Sequence, residues 1–394
     1  MKKTFRSSVA AAAAAASALT LIAGATAGAA AAQGSGAKGD IDLVTPSATI
    51  DFGGSSFSAP YVTYLTTKSD KGSYNSLNAS VTFGTDGAQG SGTGRADVEN
   101  GTFQIGFSDQ PLNVAAGTAP SGSTQAQVDA QYAQAPIALG GAVVGYHING
   151  VTATLNLSAG VIAGIYNGSI TNWSDKAIHV LNPKVTLPNL PIVVLYRSAS
   201  SGTTFAFTDY LHSAAGTSQP VSGAVMEGPG AKWAATTVQP ESNNGAMASG
   251  INTINGAIGY VEYSYVLNKA DAKIQVADLQ DAAGQFIAPS LTTIAAAATA
   301  AKGSLSSTNF SIVDLPGKNV WPFATYTWAI VKTAAPSAAQ GEAEVKFLDY
   351  FTHGGQTYAN ANGFVALPAA AAAYARTQLG LVKYNGTVLL TKKN

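Results

Sequence analysis

Residues 192–205 have the sequence IVVLYRSASSGTTF, and this stretch indicates the fold class. The β-branched and bulky residues 192–196 predict a buried strand, and the aromatic-rich segment 204–211 predicts a helix. The turn between them therefore lies at a helix N-terminus, where backbone N–H groups that lack intrahelical partners attract anions. Arg197 adds a fork of donors that matches the oxygens of an oxyanion. An ordinary serine-capped helix beside a surface arginine has the same local sequence.

Strand-like and helix-like segments alternate through most of the chain, as in an α/β protein with largely parallel sheets. Three further strands are predicted at residues 48–52, 81–83 and 103–109. The glycine-rich segment 84–94 follows the second of them, and we expect the next helix to begin at Arg95.

Small polar residues follow each of these predicted strands. Ser56 follows the first strand, Ser91 lies in the glycine-rich loop after the second, and Asp109 ends the third. Open α/β sheets bind ligands outside the carboxyl ends of their strands, so these residues and the Arg197 turn predict one shared anion site. Simple helix caps are the alternative for each hydroxyl.

The first 32 residues have the pattern of a secretory signal peptide. Lys2, Lys3 and Arg6 precede an uncharged, alanine-rich stretch that ends in small residues near Ala32. A transmembrane helix is the alternative, but a stop-transfer pattern does not follow. The chain has no cysteine, which excludes disulfides and a lipid-modified N-terminal cysteine. We therefore expect cleavage and export to a periplasm or to the exterior, and not a lipoprotein.

The charge composition argues against nucleic acid as a partner. Removing residues 1–32 takes away three of 21 basic residues and none of 21 acidic ones, which leaves 18 against 21. A slightly negative protein does not attract nucleic acid or anionic lipid as a whole. Charged residues make up only 11% of the chain, which fits either adaptation to an acidic exterior or compositional drift.

The length of the chain after the leader favours two lobes, because it exceeds what one hydrophobic core usually serves. Two apolar segments, 135–144 and 320–328, have the character of crossings between lobes. If both cross, lobe I is discontinuous and consists of residues 48–139 and 321–394, and lobe II consists of residues 140–320. The alanine runs at 295–301 and 369–373 favour helices.

With these segments in view, the chain resembles the periplasmic phosphate-binding proteins of the PstS type, which serve ABC phosphate transporters. Seven blocks carry the resemblance in family order over most of the chain: FGGSSFSAP (52–60), GSGTG (90–94), FSDQPL (107–112), ITNWSD (170–175), RSASSGT (197–203), GAIGYVEY (256–263) and VWP (320–322). The resemblance implies a two-lobed periplasmic binding protein fold of type II, with mixed sheets flanked by helices and the ligand in the cleft between the lobes.

The resemblance also implies a set of ligand-binding residues. Carried over position by position, the groups that surround inorganic phosphate are Ser56, the Phe57 amide, Ser91, Asp109, Arg197, Ser201, Gly202 and Thr203. The family often has threonine at the position of Ser56, and either hydroxyl can donate a hydrogen bond. It commonly has an acidic residue at the position of Ala199, so we expect Arg197 to lack an orienting carboxylate.

Other residues are interpreted as structural. We expect Arg95 to be a solvated first-turn arginine, although a contact with the ligand stays open. Trp321, Trp328, Tyr260 and Tyr263 are interpreted as core and hinge packing. The four histidines, His147, His179, His212 and His353, lack metal-ligand spacing, so we expect no metal and no cofactor.

The function that the sequence predicts is therefore a binding protein and not an enzyme. It would close two lobes around phosphate, deliver it to the membrane permease of an ABC importer, and act as a monomer without a nucleic-acid partner. One alternative is a secreted phosphatase in which Ser91 or Ser201 attacks a phosphoester, but neither serine has a general base nearby in the sequence pattern. The other alternative is a phosphate-binding surface protein that has only its fold in common with the transport proteins.

Overall fold

The computed structural model describes residues 47–67, 69–78, 80–87, 89–215, 235–267 and 273–390. The predicted signal peptide, residues 1–32, lies outside the described residues. The strands are β1 (Ala48–Gly54), β2 (Val81–Gly87), β3 (Ile105–Ser108), β4 (Tyr132–His147), β5 (Asn156–Leu157), β6 (Val193–Arg197), β7 (Val238–Glu241), β8 (Ala257–Glu262), β9 (Gln275–Val276), β10 (Asp278–Gln280), β11 (Phe286–Ile287), β12 (Ala324–Lys332), β13 (Lys383–Tyr384) and β14 (Thr387–Val388).

Helices alternate with these strands, as the sequence predicts. They are α1 (Ala59–Thr66), α2 (Tyr74–Leu77), α3 (Ser91–Asn100), α4 (Gln125–Gln131), α5 (Ala159–Tyr166), α6 (Lys176–Leu181), α7 (Gly202–Ala215), α8 (Asn244–Thr253), α9 (Leu291–Ala300), α10 (Ala338–Thr352) and α11 (Ala369–Leu379). Short 3₁₀ turns occur at Tyr263–Tyr265, Gly354–Tyr358 and Asn360–Asn362. Both alanine runs lie largely within helices, in α9 and α11. Among the described residues, no helix is both long and apolar enough to span a bilayer.

The main sheet is mixed. Its strand order is β2-β1-β3-β12-β4-β8-β6-β7, with β9 added beside β4. The outer pairs, β1 with β2 and β3 and β6 with β7 and β8, are parallel. The central pairs that involve β4 and β12 are antiparallel, so the expectation of largely parallel sheets from the alternation alone was wrong at the centre. The fold class, α/β with mixed sheets flanked by helices, is confirmed.

Strand β4 connects the two halves of this sheet. Its residues 132–141 pair with β12, and its residues 142–147 pair with β8. All of its side chains are buried, which explains why the sequence is almost continuously apolar and lacks the alternation of a half-exposed strand. The change of partner falls after Gly141, inside the predicted crossing segment 135–144.

The second predicted crossing packs against the first. Trp321 is fully buried, its backbone N–H donates to Thr293 O at 2.9 Å, and its indole Nε1–H donates to Ala142 O at 2.9 Å. The indole bond satisfies the one polar atom of this large buried side chain, and the other bond satisfies its backbone N–H. The core therefore continues through the region where the chain passes between the halves.

Helix α10 carries a buried carboxyl group that makes stability depend on pH. Burial raises the pKa of Glu344 to about 7, although the Gln340 amide donates to it at 2.9 Å. Burial also raises the pKa of Asp314 to about 6. Such groups bind protons more tightly in the folded than in the unfolded chain. Their contribution to stability is therefore complete below the ordinary pKa, 4.5 for Glu344 and 3.8 for Asp314, and is lost as the pH rises through the folded pKa.

We therefore expect the free energy of unfolding to fall by on the order of 2 kcal/mol between pH 4.5 and pH 8 because of Glu344. Thermal unfolding across this range checks the expectation. Glu344→Gln should flatten the profile, and Glu342→Gln, a more exposed position on the same helix, should leave its shape unchanged. An equally steep profile in Glu344→Gln would contradict this assignment. A maximum near pH 5 would agree with adaptation to an acidic exterior.

Candidate functional site

Asp109 follows β3 and is the acceptor around which the first half of the site is organised. Its side chain is 2% exposed. The Ser55 hydroxyl and the Thr327 hydroxyl, the latter at 3.0 Å, both donate to Oδ1, and the Ser91 hydroxyl lies 3.4 Å from Oδ2. These groups come from the loop after β1, from β12 and from the start of α3. The carboxylate is therefore fixed in place, and its hydrogen bond from Ser91 to Oδ2 is long.

Helix α3 begins at Ser91, four residues before the predicted start at Arg95. Gly90 caps the helix, and its N–H donates to Gly54 O at 2.8 Å. A Cβ at Gly54, which has φ of +120°, would lie 2.7 Å from the Cα of Gly94. The later start was predicted because glycine disfavours helices in isolation. That prediction was wrong, since the tertiary packing of α3 against β1 decides the conformation of this segment.

Arg197 is the last residue of β6 and is almost completely buried. Its Nη2 donates to Ser242 O at 2.9 Å, and its Nη1 lies 3.4 Å from Ser56 Oγ. Its backbone N–H donates to the Tyr260 hydroxyl at 3.1 Å. The Ser242 backbone carbonyl therefore orients the guanidinium, and the lack of an orienting carboxylate at Ala199 stays a prediction.

The turn after Arg197 starts a helix, as predicted. Ser201 Oγ accepts the Thr204 N–H at 3.2 Å, which is the geometry of an N-cap, and α7 runs from Gly202. A Cβ at Gly202 would lie 2.5 Å from Ser91 Oγ and 2.6 Å from Asp109 Cβ. Only a residue without a side chain lets the start of α7 approach Asp109 this closely.

The eight residues predicted to bind the ligand lie together. Ser55 and Ser56 are adjacent, and they contact Asp109 and Arg197 respectively. The Phe57 amide donates to Ser55 Oγ at 3.0 Å within the same loop. Arg95 Nη1 donates to Ser108 Oγ at 3.0 Å. Direct contact of these eight residues with a ligand stays a prediction.

Five further residues complete the site and were not assigned to it by sequence reasoning. They are Ser55, Ser242, Asn244, Tyr260 and Thr327. Tyr260 was interpreted as packing, and it is fully buried, but its hydroxyl also lies 2.8 Å from Thr204 Oγ1. Asn244 begins α8 directly after the N-cap Asn243, and this pair of asparagines was the available signal.

Three helices begin at the site. Ser91, Gly202 and Asn244 are the first residues of α3, α7 and α8. The Asn244 side chain donates to Thr203 Oγ1 at 3.1 Å, and Gly202 abuts Ser91. Each helix N-terminus carries roughly half a positive charge, and Arg197 adds a full one. This arrangement favours an anion, and Asp109 offers that anion an acceptor.

A second carboxyl group, Glu262, lies close to Asp109. Burial raises the pKa of Glu262 well above its ordinary value, and the nearby Asp109 charge adds to this. The Ser264 hydroxyl and amide donate to Glu262 and partly oppose the shift. The raised pKa favours the neutral form of Glu262, which limits the negative charge near Asp109. Among the described residues, there is no cluster of three or more histidine or acidic side chains that could hold a metal ion.

Comparison with protein families gives a match that covers most of the chain. Residues 15–354 match the model of the PBP superfamily domain. The phosphate-binding protein PstS of Xylella fastidiosa strain 9a5c is 32% identical over 326 residues, which is 82% of this chain and 83% of that protein. The PstS of Pasteurella multocida is 30% identical over 328 residues, 83% of this chain and 88% of the relative.

A solved structure supports the same fold. A high-affinity periplasmic phosphate-binding protein, solved with bound phosphate, aligns with a TM-score of 0.64 and 21% identity over 84% of this chain and 93% of that one. The resemblance inferred from the seven sequence blocks is confirmed by these matches. The chain belongs to the PBP superfamily and, within it, to the PstS-type phosphate-binding proteins.

Proposed function

We propose that this protein binds inorganic phosphate in a cleft between two lobes and delivers it to the permease of an ABC importer. The observation that carries the proposal is the convergence of a buried carboxylate, Asp109, and a buried guanidinium, Arg197, on the starts of three helices. The PstS relatives, which are named for phosphate binding, support the same ligand.

The site has the chemistry needed to distinguish phosphate from sulfate. At neutral pH phosphate keeps at least one proton and sulfate has none. Hydrogen phosphate can donate its O–H to Asp109 Oδ2, whose hydrogen bond from Ser91 is long at 3.4 Å. Sulfate would place an oxygen against this carboxylate without a proton between them, which costs several kcal/mol (roughly 2–5) in a buried site.

Lobe closure is part of the proposal. We assign residues 48–139 and 321–394 to lobe I and residues 140–320 to lobe II, with β4 as one crossing. The change of β4 partner after Gly141 supports this division. Ser56 and Arg197 would then come from different lobes, so that binding and closure are one event.

We further propose that the protein is exported after cleavage of residues 1–32, is not lipid-anchored, acts as a monomer in a periplasm or outside the cell, and has no enzymatic activity. The absence of cysteine from the sequence supports the lack of a lipid anchor. In the structure, Ser91 Oγ accepts the Asp109 N–H at 3.1 Å, and Ser201 Oγ caps α7. Both serines therefore have structural partners, which supports binding over nucleophilic attack.

Isothermal titration calorimetry of the purified protein tests the proposed function. Phosphate and arsenate should bind with one site per chain, and sulfate should not bind. A phosphomonoester incubated with the protein should release no phosphate. Absence of phosphate binding by a folded protein would reject the proposal, and hydrolysis of the ester would reject its non-enzymatic part.

Gly202→Ala should weaken phosphate binding by at least about tenfold. The added methyl group would overlap Ser91 and Asp109 and keep the start of α7 from approaching them. Calorimetry gives the dissociation constant. Gly160→Ala in the first turn of α5 is the matched control, since its Cβ would meet nothing closer than Ser158 Oγ at 4.0 Å. Equal affinity of Gly202→Ala and the wild type would show that this close approach is not needed for binding.

A further inference from the structure

Asn244 is a fully buried amide that contacts residues from both proposed lobes. Its Nδ2 donates to Ser56 Oγ at 3.0 Å and to Thr203 Oγ1 at 3.1 Å. Its backbone N–H also lies 3.2 Å from Ser56 Oγ. Ser56 and Thr203 are both predicted ligand residues, and Asn244 links them through a single side chain.

The orientation of the Asn244 amide is fixed by a hydrogen bond to its oxygen. The backbone N–H of Glu262, at the end of β8, donates to Asn244 Oδ1 at 3.0 Å. An N–H donor on that side requires the oxygen to face β8, so the NH₂ group must face the two hydroxyls. Asn244 is therefore a donor toward Ser56 and Thr203.

This arrangement determines where the hydroxyl hydrogens of Ser56 and Thr203 can go. A hydroxyl group has two acceptor lone pairs and one hydrogen to donate. Three N–H donors face Ser56 Oγ, namely the Asn244 backbone N–H at 3.2 Å, Asn244 Nδ2 at 3.0 Å and Arg197 Nη1 at 3.4 Å, so both lone pairs are engaged. Its hydrogen must then point away from these donors. Thr203 Oγ1 likewise accepts from Asn244, which leaves its hydrogen to donate.

We propose that Asn244 is a positioning residue for anion binding, whose amide holds the Ser56 and Thr203 hydroxyls, one in each lobe, with their hydrogens directed at the bound oxyanion. The inference rests on the proposed function. It adds a specific role for a residue that would not itself contact the anion. It also makes Asn244 part of the contact that keeps the lobes closed, because its bond to Ser56 crosses between them.

Three variants test the role of Asn244 by phosphate titration at pH 5 and pH 8, each compared with the wild type at the same pH. Asn244→Ala should weaken binding by at least about tenfold at both pH values, since the donor is lost. Asn244→Asp should weaken binding more at pH 8, because a carboxylate accepts from the hydroxyls and turns their hydrogens away from the anion. Because Asn244 is fully buried, the pKa of an aspartate at this position should be raised above 5. At pH 5 the protonated acid can then donate again, so its affinity relative to the wild type should recover by at least about tenfold.

Asn243→Ala is the matched control. Asn243 has the same side chain, precedes Asn244 and caps α8 by accepting the Ala246 N–H at 2.9 Å. This variant should bind phosphate within about threefold of the wild type. Thermal unfolding without phosphate establishes that each variant is folded, and if Asn244→Ala does not fold, the pH dependence of Asn244→Asp decides.

Several results would overturn the inference. They are affinity of Asn244→Ala equal to that of the wild type, equal weakening in Asn243→Ala, or a pH profile of Asn244→Asp parallel to that of the wild type. All three require that the wild type binds phosphate. Failure of the wild type to bind phosphate would instead reject the proposed function.

Discussion

Replacing Arg197 with alanine is expected to weaken phosphate binding by about 3 kcal/mol or more, which is roughly a hundredfold or greater rise in the dissociation constant. Arg197 is buried, and the Ser242 carbonyl holds its guanidinium beside Ser56. Each charge-assisted hydrogen bond to an anion contributes about 1.5–3 kcal/mol, and the guanidinium can offer two. Arg197→Lys should keep the charge but lose the planar fork, and so bind with intermediate affinity.

Calorimetry at constant salt measures this effect. Arg376→Ala is a suitable control, because Arg376 pairs with Asp349 on α10 at 3.3 Å and belongs to the folded framework. It should lower thermal stability slightly and leave the phosphate affinity unchanged. If Arg197→Ala is folded and still binds phosphate as tightly as the wild type, Arg197 does not bind the anion.

Asp109→Asn is expected to change selectivity more than stability. An amide can donate to an oxygen that carries no hydrogen, so sulfate would no longer face a carboxylate. We expect the ratio of sulfate to phosphate dissociation constants to fall by about a hundredfold, from weaker phosphate and stronger sulfate binding together. The amide oxygen can still accept from Ser55 and Thr327, which should preserve the local fold.

Titrations of phosphate and sulfate into the same preparation give this ratio directly. Asp129→Asn, at an exposed aspartate on α4, is the control and should leave selectivity unchanged. Continued rejection of sulfate by Asp109→Asn would mean that another feature of the cleft, and not this carboxylate, selects phosphate.

Much of the site could be predicted from sequence because its parts are local. The strand before Arg197, the serine cap and the glycine that begins α7 form one short segment whose chemistry follows from residue type. Asp109 could likewise be predicted at the end of a strand. The family resemblance added that these segments occur in the same order along the chain as in the family.

The unpredicted parts depend on contacts between distant segments. Thr327 reaches Asp109 from a strand 218 residues later, and Asn244 reaches Ser56 across 188 residues. Neither residue type is informative alone, since threonine is common in strands and asparagine at helix starts. Helix α3 begins before its predicted start at Arg95 because Gly94 packs against Gly54. The helix propensities of single residues do not include such a contact. The antiparallel pairing of β4 with β12 was also not predicted, because it too depends on a contact between distant segments.

In the proposed site, Arg197 and Asp109 together bind one anion. A crystal structure with arsenate tests this directly, because the anomalous signal of arsenic locates the anion independently of the protein. We predict one arsenate per chain, with oxygens at about 2.7–3.2 Å from the Arg197 guanidinium and at about 2.5–2.7 Å from Asp109 Oδ2. An arsenate that contacts only one of these two residues, or that lies in a different cavity, would contradict the account.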